Sequence, residues 1–417
     1  MPASLPLRWI SRDAWLIMLA RGIRTFSQSY LAVLFALYLD LLGFSLVQIG
    51  GFLSAGVAGA AFFAFLAGLA GQRLGRRRTL VGLTVLSAIA GLALFFVQTP
   101  VPMLLLVFIG SVAGDTGGGA SPTQPIEQAS LPDMAPADKR TDLFAIYGIV
   151  ARAGTALGAL AAGLPALYQD ALGLNTLEAY RLTFIGFAAL NLGVGLLYSL
   201  LSPRVEAATG QGGWTNPLKL PSRRRIFTLT GLYSLDTFTT SMVTQSLIAY
   251  WFTTRFGIDL GSVASILFLS HLLSAVSLWL AARIASRIGL LNTMVFTHIP
   301  SSLFLIAASF APTAWAAVLF WQLRSFLGQM DSPTRDSYTM AVVRPEERVA
   351  TASLNFTGRS IAASFGPAVA TAMWNVLSAS APLPASSVLK ISYDLSLYAL
   401  FRKVKPPEEA ARRRDSR

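Results

Sequence analysis

The chain has 417 residues, of which 54% are hydrophobic and only 13% charged, with a mean hydropathy of +0.57. A water-soluble protein cannot bury that much apolar surface, so the composition excludes an ordinary soluble enzyme or binding module. The absence of cysteine excludes disulfides, thiolate metal sites and cysteine nucleophiles, and the +13 net charge lies between apolar runs instead of on one soluble face, which excludes nucleic acid as a partner.

Residues 1–15, MPASLPLRWISRDAW, run into an apolar segment without a small-residue cleavage site, so the first helix is expected to act as the insertion signal. A bilayer core about 30 Å thick needs roughly 20 apolar residues at a rise of about 1.5 Å each. Runs of that length are predicted at 14–40, 46–70, 79–98, 101–121, 141–168, 179–201, 226–253, 260–282, 291–311, 313–333, 350–378 and 385–402. Twelve is an even number, so both termini are expected on one side. Most Lys and Arg residues, Arg73, Arg76, Arg223 and Arg335 among them, then fall in segments facing the cytoplasm, while Arg181, Arg255 and Lys390 fall at or near outer ends. The expected location is the plasma (bacterial inner) membrane with cytoplasmic termini.

The long polar stretch 202–225, SPRVEAATGQGGWTNPLKLPSRRR, reads as a linker. It separates a bundle over 1–201 from a second over 226–402, with a basic tail at 403–417. The halves match each other at an offset near 210 residues. Arg24-x-Phe26 and Tyr38 align with Asp236-x-Phe238 and Tyr250, Ser121-Pro122-Thr123 with Ser332-Pro333-Thr334, Arg140 with Arg348, and Gly158 with Gly366. The predicted fold class is an all-α membrane protein, with twelve transmembrane helices in two pseudo-symmetric six-helix bundles.

Between spans 2 and 3 stands Gly68-Leu69-Ala70-Gly71-Gln72-Arg73-Leu74-Gly75-Arg76-Arg77-Arg78. Gly68 allows close helix approach, Gly75 a tight turn, and the arginines suit the headgroup region. The segment resembles the G-x-L-a-D-R-x-G-R-R loop of the major facilitator superfamily, with Gln72 in place of the acidic residue. In that family the acid helps latch the two halves, so the resemblance implies a weaker, neutral hydrogen bond from Gln72 here. Span 5 carries Gly154-x-x-x-Gly158-Ala159-x-x-Ala162-Gly163, which is similar to the antiporter signature G-x-x-x-G-P-x-x-G-G of proton-coupled drug exporters. The resemblance implies a secondary transporter working by alternating access.

An ionised side chain inside the membrane costs roughly 2.5–3.5 kcal/mol on insertion scales, so each marks a pathway or a pair. Arg21, Arg24 and Gln28 repeat at i, i+3 and i+7 and share one face of span 1. Asp236 and Thr240 take the equivalent places in span 7, and the resemblance implies that those helices face each other, so Arg24 and Asp236 are expected to pair. Asp115, followed by Thr116-Gly117-Gly118-Gly119, is the expected proton carrier. Arg152 and Arg359 are placed to meet an anionic substrate or to neutralise Asp115, Glu127 or Asp331. His271 and His298 are each read first as a single polar side chain packed in a bundle, with a proton relay as the second reading.

No clustered His and carboxylates, nucleophile beside a base, or G-x-x-x-x-G-K-[ST] loop is present, so the chain is expected to be neither an enzyme nor ATP-coupled, without cofactor or metal. The expected function is proton-coupled efflux of an amphipathic compound, with uptake or exchange of a small anion as the alternative. The expected partners are the lipid bilayer, a small-molecule substrate and protons, and the expected state is a monomer.

Overall fold

The computed structural model describes residues 9–112, 121–134, 140–206, 221–343 and 347–404. Among these are sixteen α-helices and no strand. They run α1 (Arg12–Leu41), α2 (Leu46–Arg73), α3 (Arg76–Phe96), α4 (Pro100–Gly110), α5 (Gln124–Ser130), α6 (Arg140–Ala161), α7 (Leu164–Leu172), α8 (Thr176–Ser199) and α9 (Arg223–Ser241). The remainder are α10 (Gln245–Phe256), α11 (Leu260–Ile288), α12 (Leu290–Phe310), α13 (Ala314–Leu327), α14 (Asp331–Val342), α15 (Arg348–Val376) and α16 (Pro382–Phe401).

Twelve membrane passages account for the sixteen helices because four passages are interrupted. α6 and α7 are separated at Ala162–Gly163, α9 and α10 at Met242–Thr244, and α13 and α14 at Gly328–Met330. Thr244 caps the restart of the seventh passage, its side chain accepting from the Leu247 amide. The ends predicted at 121 and 333 fall short: α5 and α14 continue the fourth and tenth passages.

The chain divides into two compact units. One comprises Met1–Ser45, Ala55–Gln211 and Leu260–Phe268, the other Leu46–Ser54, Gly212–Asp259 and Leu269–Arg417. Their internal packing repeats. α1 lies against α6 and α8, and α3 against α8 and α4, while α9 lies against α15 and α16, and α12 against α16 and α13. The turns opening α3 and α12 use Gly75 and Gly289 at φ of 92° and 93°, a conformation that a side chain disfavours. Ile17, Leu80, Tyr147, Val194 and Tyr198 form the first core, and Ile226, Leu229, Tyr233, Met294, Tyr393 and Leu397 the second. Large apolar side chains left uncovered, such as Phe96, Phe310 and Val376, suit a lipid-facing exterior.

Candidate functional site

Charge inside these bundles is costly unless paired, and among the described residues the buried ion pairs form one cluster per unit. In the first unit Glu127, on α5, is fully buried. Arg24 Nη2 donates to both its oxygens at 3.0 and 3.2 Å, Thr123 Oγ1 donates at 2.8 Å, and the hydroxyls of Tyr147 on α6 and Tyr198 on α8 complete the shell. Arg21, one turn before Arg24, lies 4.0 Å from the same carboxylate, its guanidinium 4.8 Å over the Tyr147 ring. Arg21 is 4% exposed, yet its Nε and Nη1 donate no hydrogen bond among the described residues. Among the described residues two guanidinium groups stand against one carboxylate, one positive charge in excess. Gln28 is half-buried, its Oε1 accepting no hydrogen bond among the described residues.

In the second unit four helices converge. Asp236 on α9 meets Arg335 Nη1 on α14 at 2.8 Å and Lys390 Nζ on α16 at 3.0 Å. The same Arg335 nitrogen reaches Asp331, one turn earlier on α14, at 2.9 Å. His298 on α12 stands between two carboxylates, with Nε2 2.9 Å from Asp331 and Nδ1 3.2 Å from Asp394 on α16. His298 and Asp394 are both fully buried. Lys390 also donates to Thr240 Oγ1 at 3.2 Å.

These contacts correct several expectations. Arg24 and Asp236, expected as partners of each other, each have a partner within their own unit, because the fourth and tenth passages extend far enough to bring Glu127 and Arg335 beside them. Arg335 is buried in a passage and not in a cytoplasmic segment, and Lys390 lies inside α16 as an ion-pair partner. His298 is not a solitary polar side chain but the centre of the second cluster. Arg359 donates through Nε to Thr237 at 2.9 Å, and Arg152 lies half-buried on α6. Asp115, the surroundings of Gly68, the side chains of Gln72 and Arg73, and the tail beyond residue 404 lie outside what the structure describes.

The span-5 glycines pack α6 against α1. A Cβ on Gly154 would stand 2.5 Å from the Gly22 carbonyl oxygen, and one on Gly158 2.2 Å from that of Phe26. Gly163 lies at the α6–α7 break, where a Cβ would touch only Gly261 and the Leu160 carbonyl, at 3.6 Å. At the loop beginning with Gly75, the structure supplies a carboxylate from elsewhere in the chain. Glu206 accepts from the Arg76 and Arg77 amides at 2.6 and 3.0 Å and so satisfies the open N-terminus of α3. The Arg76 side chain reaches the Val205 carbonyl at 3.4 Å.

A sequence profile of the Major Facilitator Superfamily matches residues 17–367. The chain belongs to that superfamily. It is similar to an uncharacterized membrane protein of Saccharomyces cerevisiae, at 22% identity covering 86% of this chain and 87% of the yeast protein. Among solved structures it is similar to a D-xylose–proton symporter, with a TM-score of 0.73 and 14% identity over 92% of this chain and 97% of that one. It is also similar to the human organic anion transporter MFSD10, with a TM-score of 0.63 and 18% identity over 93% and 99% of the two chains. Superfamily members are secondary transporters and not enzymes.

Sequence reasoning did not place Glu127, Tyr147, Tyr198, His298, Asp331, Arg335, Lys390 and Asp394 in the clusters. Two signals were available for this Major Facilitator chain. The offset of 208 that aligns Gly158 with Gly366 also aligns Glu127 with Arg335, and Lys390 and Asp394 stand four residues apart in an apolar span.

Proposed function

We propose that this chain is a proton-coupled secondary transporter that exports an amphipathic solute across the plasma (bacterial inner) membrane, with both termini in the cytoplasm. The observation that carries proton coupling is the position of His298. Both its ring nitrogens face carboxylate oxygens, at 2.9 and 3.2 Å. A neutral imidazole has a single N–H, so the two contacts are both favourable only when the Asp331–His298–Asp394 chain holds one further proton. The charge count agrees: three carboxylates (Asp236, Asp331, Asp394) face two cations (Arg335, Lys390), and one proton restores balance in a buried cluster. Export is supported by the resemblance of Gly154–Gly163 to the antiporter signature. The excess positive charge beside Glu127 supports the second reading, uptake or exchange of an anion.

The chain has only two histidines, which makes the proton directly observable. In His271→Gln protein labelled with nitrogen-15 histidine, His298 should show two protonated ring nitrogens, or one proton shared with a carboxylate, at low pH, and lose one proton as pH rises. His298→Gln in proteoliposomes should transport without dependence on a pH gradient. A gradient dependence unchanged in that variant would remove His298 from coupling.

A further inference from the structure

Arg24 and Arg21 sit one turn apart on α1, but only Arg24 is committed. Its Nη2 makes both hydrogen bonds to Glu127, and the remaining acceptor directions of that carboxylate go to Thr123, Tyr147 and Tyr198. At 4.0 Å, Arg21 is too far from Glu127 to share them. Each unsatisfied buried donor is destabilising, and Arg24, whose Nε also lacks an acceptor among the described residues, offsets this with its two bonds from Nη2 to Glu127. Among the described residues Arg21 has two donor nitrogens without an acceptor, and its one carboxylate, Glu127 at 4.0 Å, is already hydrogen-bonded to Arg24. The Tyr147 ring, 4.8 Å from its guanidinium carbon, holds the plane of the group fixed.

We infer that Arg21 binds the anionic head of the transported solute, with the Arg24–Glu127 pair and Tyr147 as its rigid support. One excess charge on the protein is balanced by one negative charge on the ligand, so the site selects a monoanion of the carboxylate, sulfonate or phosphate-ester type over a neutral isostere or a dianion. Gln28 lies on the same face of α1, seven residues further along, and its side-chain amide serves a second polar group on the solute. The inference rests on the transporter reading and gives its substrate class. It does not depend on proton coupling.

The test uses the purified full chain in phosphatidylcholine nanodiscs, which contain no anionic lipid, at fixed pH and without a gradient. Benzenesulfonate, ionised at every working pH, is titrated against neutral methyl phenyl sulfone of the same shape, and binding is read from intrinsic tryptophan fluorescence. Benzenesulfonate should bind saturably and roughly tenfold to a hundredfold more tightly than the sulfone, the range for losing a charge-assisted hydrogen bond. Arg21→Gln should erase that preference, and Arg21→Lys should restore part of it. Equal binding of sulfonate and sulfone, absence of saturable sulfonate binding, or a preference that survives Arg21→Gln would overturn the inference. The sulfonate-to-sulfone comparison needs no variant, so it decides even if a substitution unfolds the chain. Because binding is measured at equilibrium, its failure leaves the His298 reading intact, and failure of the His298 test leaves this one intact.

Discussion

Arg24 and Arg21 compete unequally for Glu127, and the inequality makes the two ways of breaking the pair differ. Replacing Arg24 with Gln leaves one guanidinium and one carboxylate, still neutral together and 4.0 Å apart. Replacing Glu127 with Gln leaves two buried guanidinium groups with no carboxylate among the contacts described. Breaking a buried pair costs about 3–5 kcal/mol when it strands a charge. Glu127→Gln should therefore reach that range in detergent thermal stability, and Arg24→Gln should fall below it. The double variant should lose less than the two singles together, since the residues share one network. Equal losses for the two singles would show that Arg21 does not compensate. The shared face of Arg21, Arg24 and Gln28 was legible from helical spacing alone. Their partner was not, because Glu127 lies 103 residues along the chain from Arg24 and its register is set beyond the end predicted for the fourth passage.

Helix number and approximate ends follow from apolar run length, but helix breaks depend on a few residues whose role appears only against a neighbour. Gly158 illustrates this, since its spacing also fits ordinary small-residue packing. The structure shows that its hydrogen faces the Phe26 carbonyl, backbone that cannot rotate away. Gly158→Ala should force α1 and α6 apart and lower stability by about 1–3 kcal/mol, the usual range for overpacking. Gly148 on the same helix has nothing within 4 Å of its added Cβ, so Gly148→Ala should be neutral or stabilising by up to about 1 kcal/mol. Comparing the two melting temperatures separates steric conflict from helix propensity. Similar shifts in both would deny the close α1–α6 approach. Glu206 is a related case: from a segment read only as linker it takes the α3 amides, and no local pattern announces it.

At the scale of the whole chain the repeat preserves an ion pair while exchanging its signs. The first passage supplies a cation to the fourth passage's carboxylate, Arg24 to Glu127, whereas the seventh supplies a carboxylate to the tenth passage's cation, Asp236 to Arg335. What a duplicated fold retains is therefore the need for a pair between these passages, and polarity is free to diverge with the solute and the coupling ion. That is why matching residues by type found Gly158 and Gly366 but did not connect Glu127 with Arg335. Orientation is the other property set by the chain as a whole.

The first, third, seventh and ninth passages all begin at one end of their units, and Arg12, the Arg76–Arg78 run and the Arg223–Arg225 run lie there. On the orientation proposed above, the bias of basic residues assigns those ends to the cytoplasm. Ser222 stands at the start of α9, and Thr176, exposed at the start of α8, belongs to the opposite end. In a chain without cysteine, each can carry the only thiol. Thr176→Cys should react with a membrane-impermeant maleimide applied to intact cells. Ser222→Cys should react only with a permeant reagent or after the membrane is opened. Because the two positions belong to opposite ends of passages joined by an odd number of crossings, their labelling must be reciprocal, and reaction of Ser222→Cys in intact cells with protection of Thr176→Cys would invert the orientation and the transport direction with it.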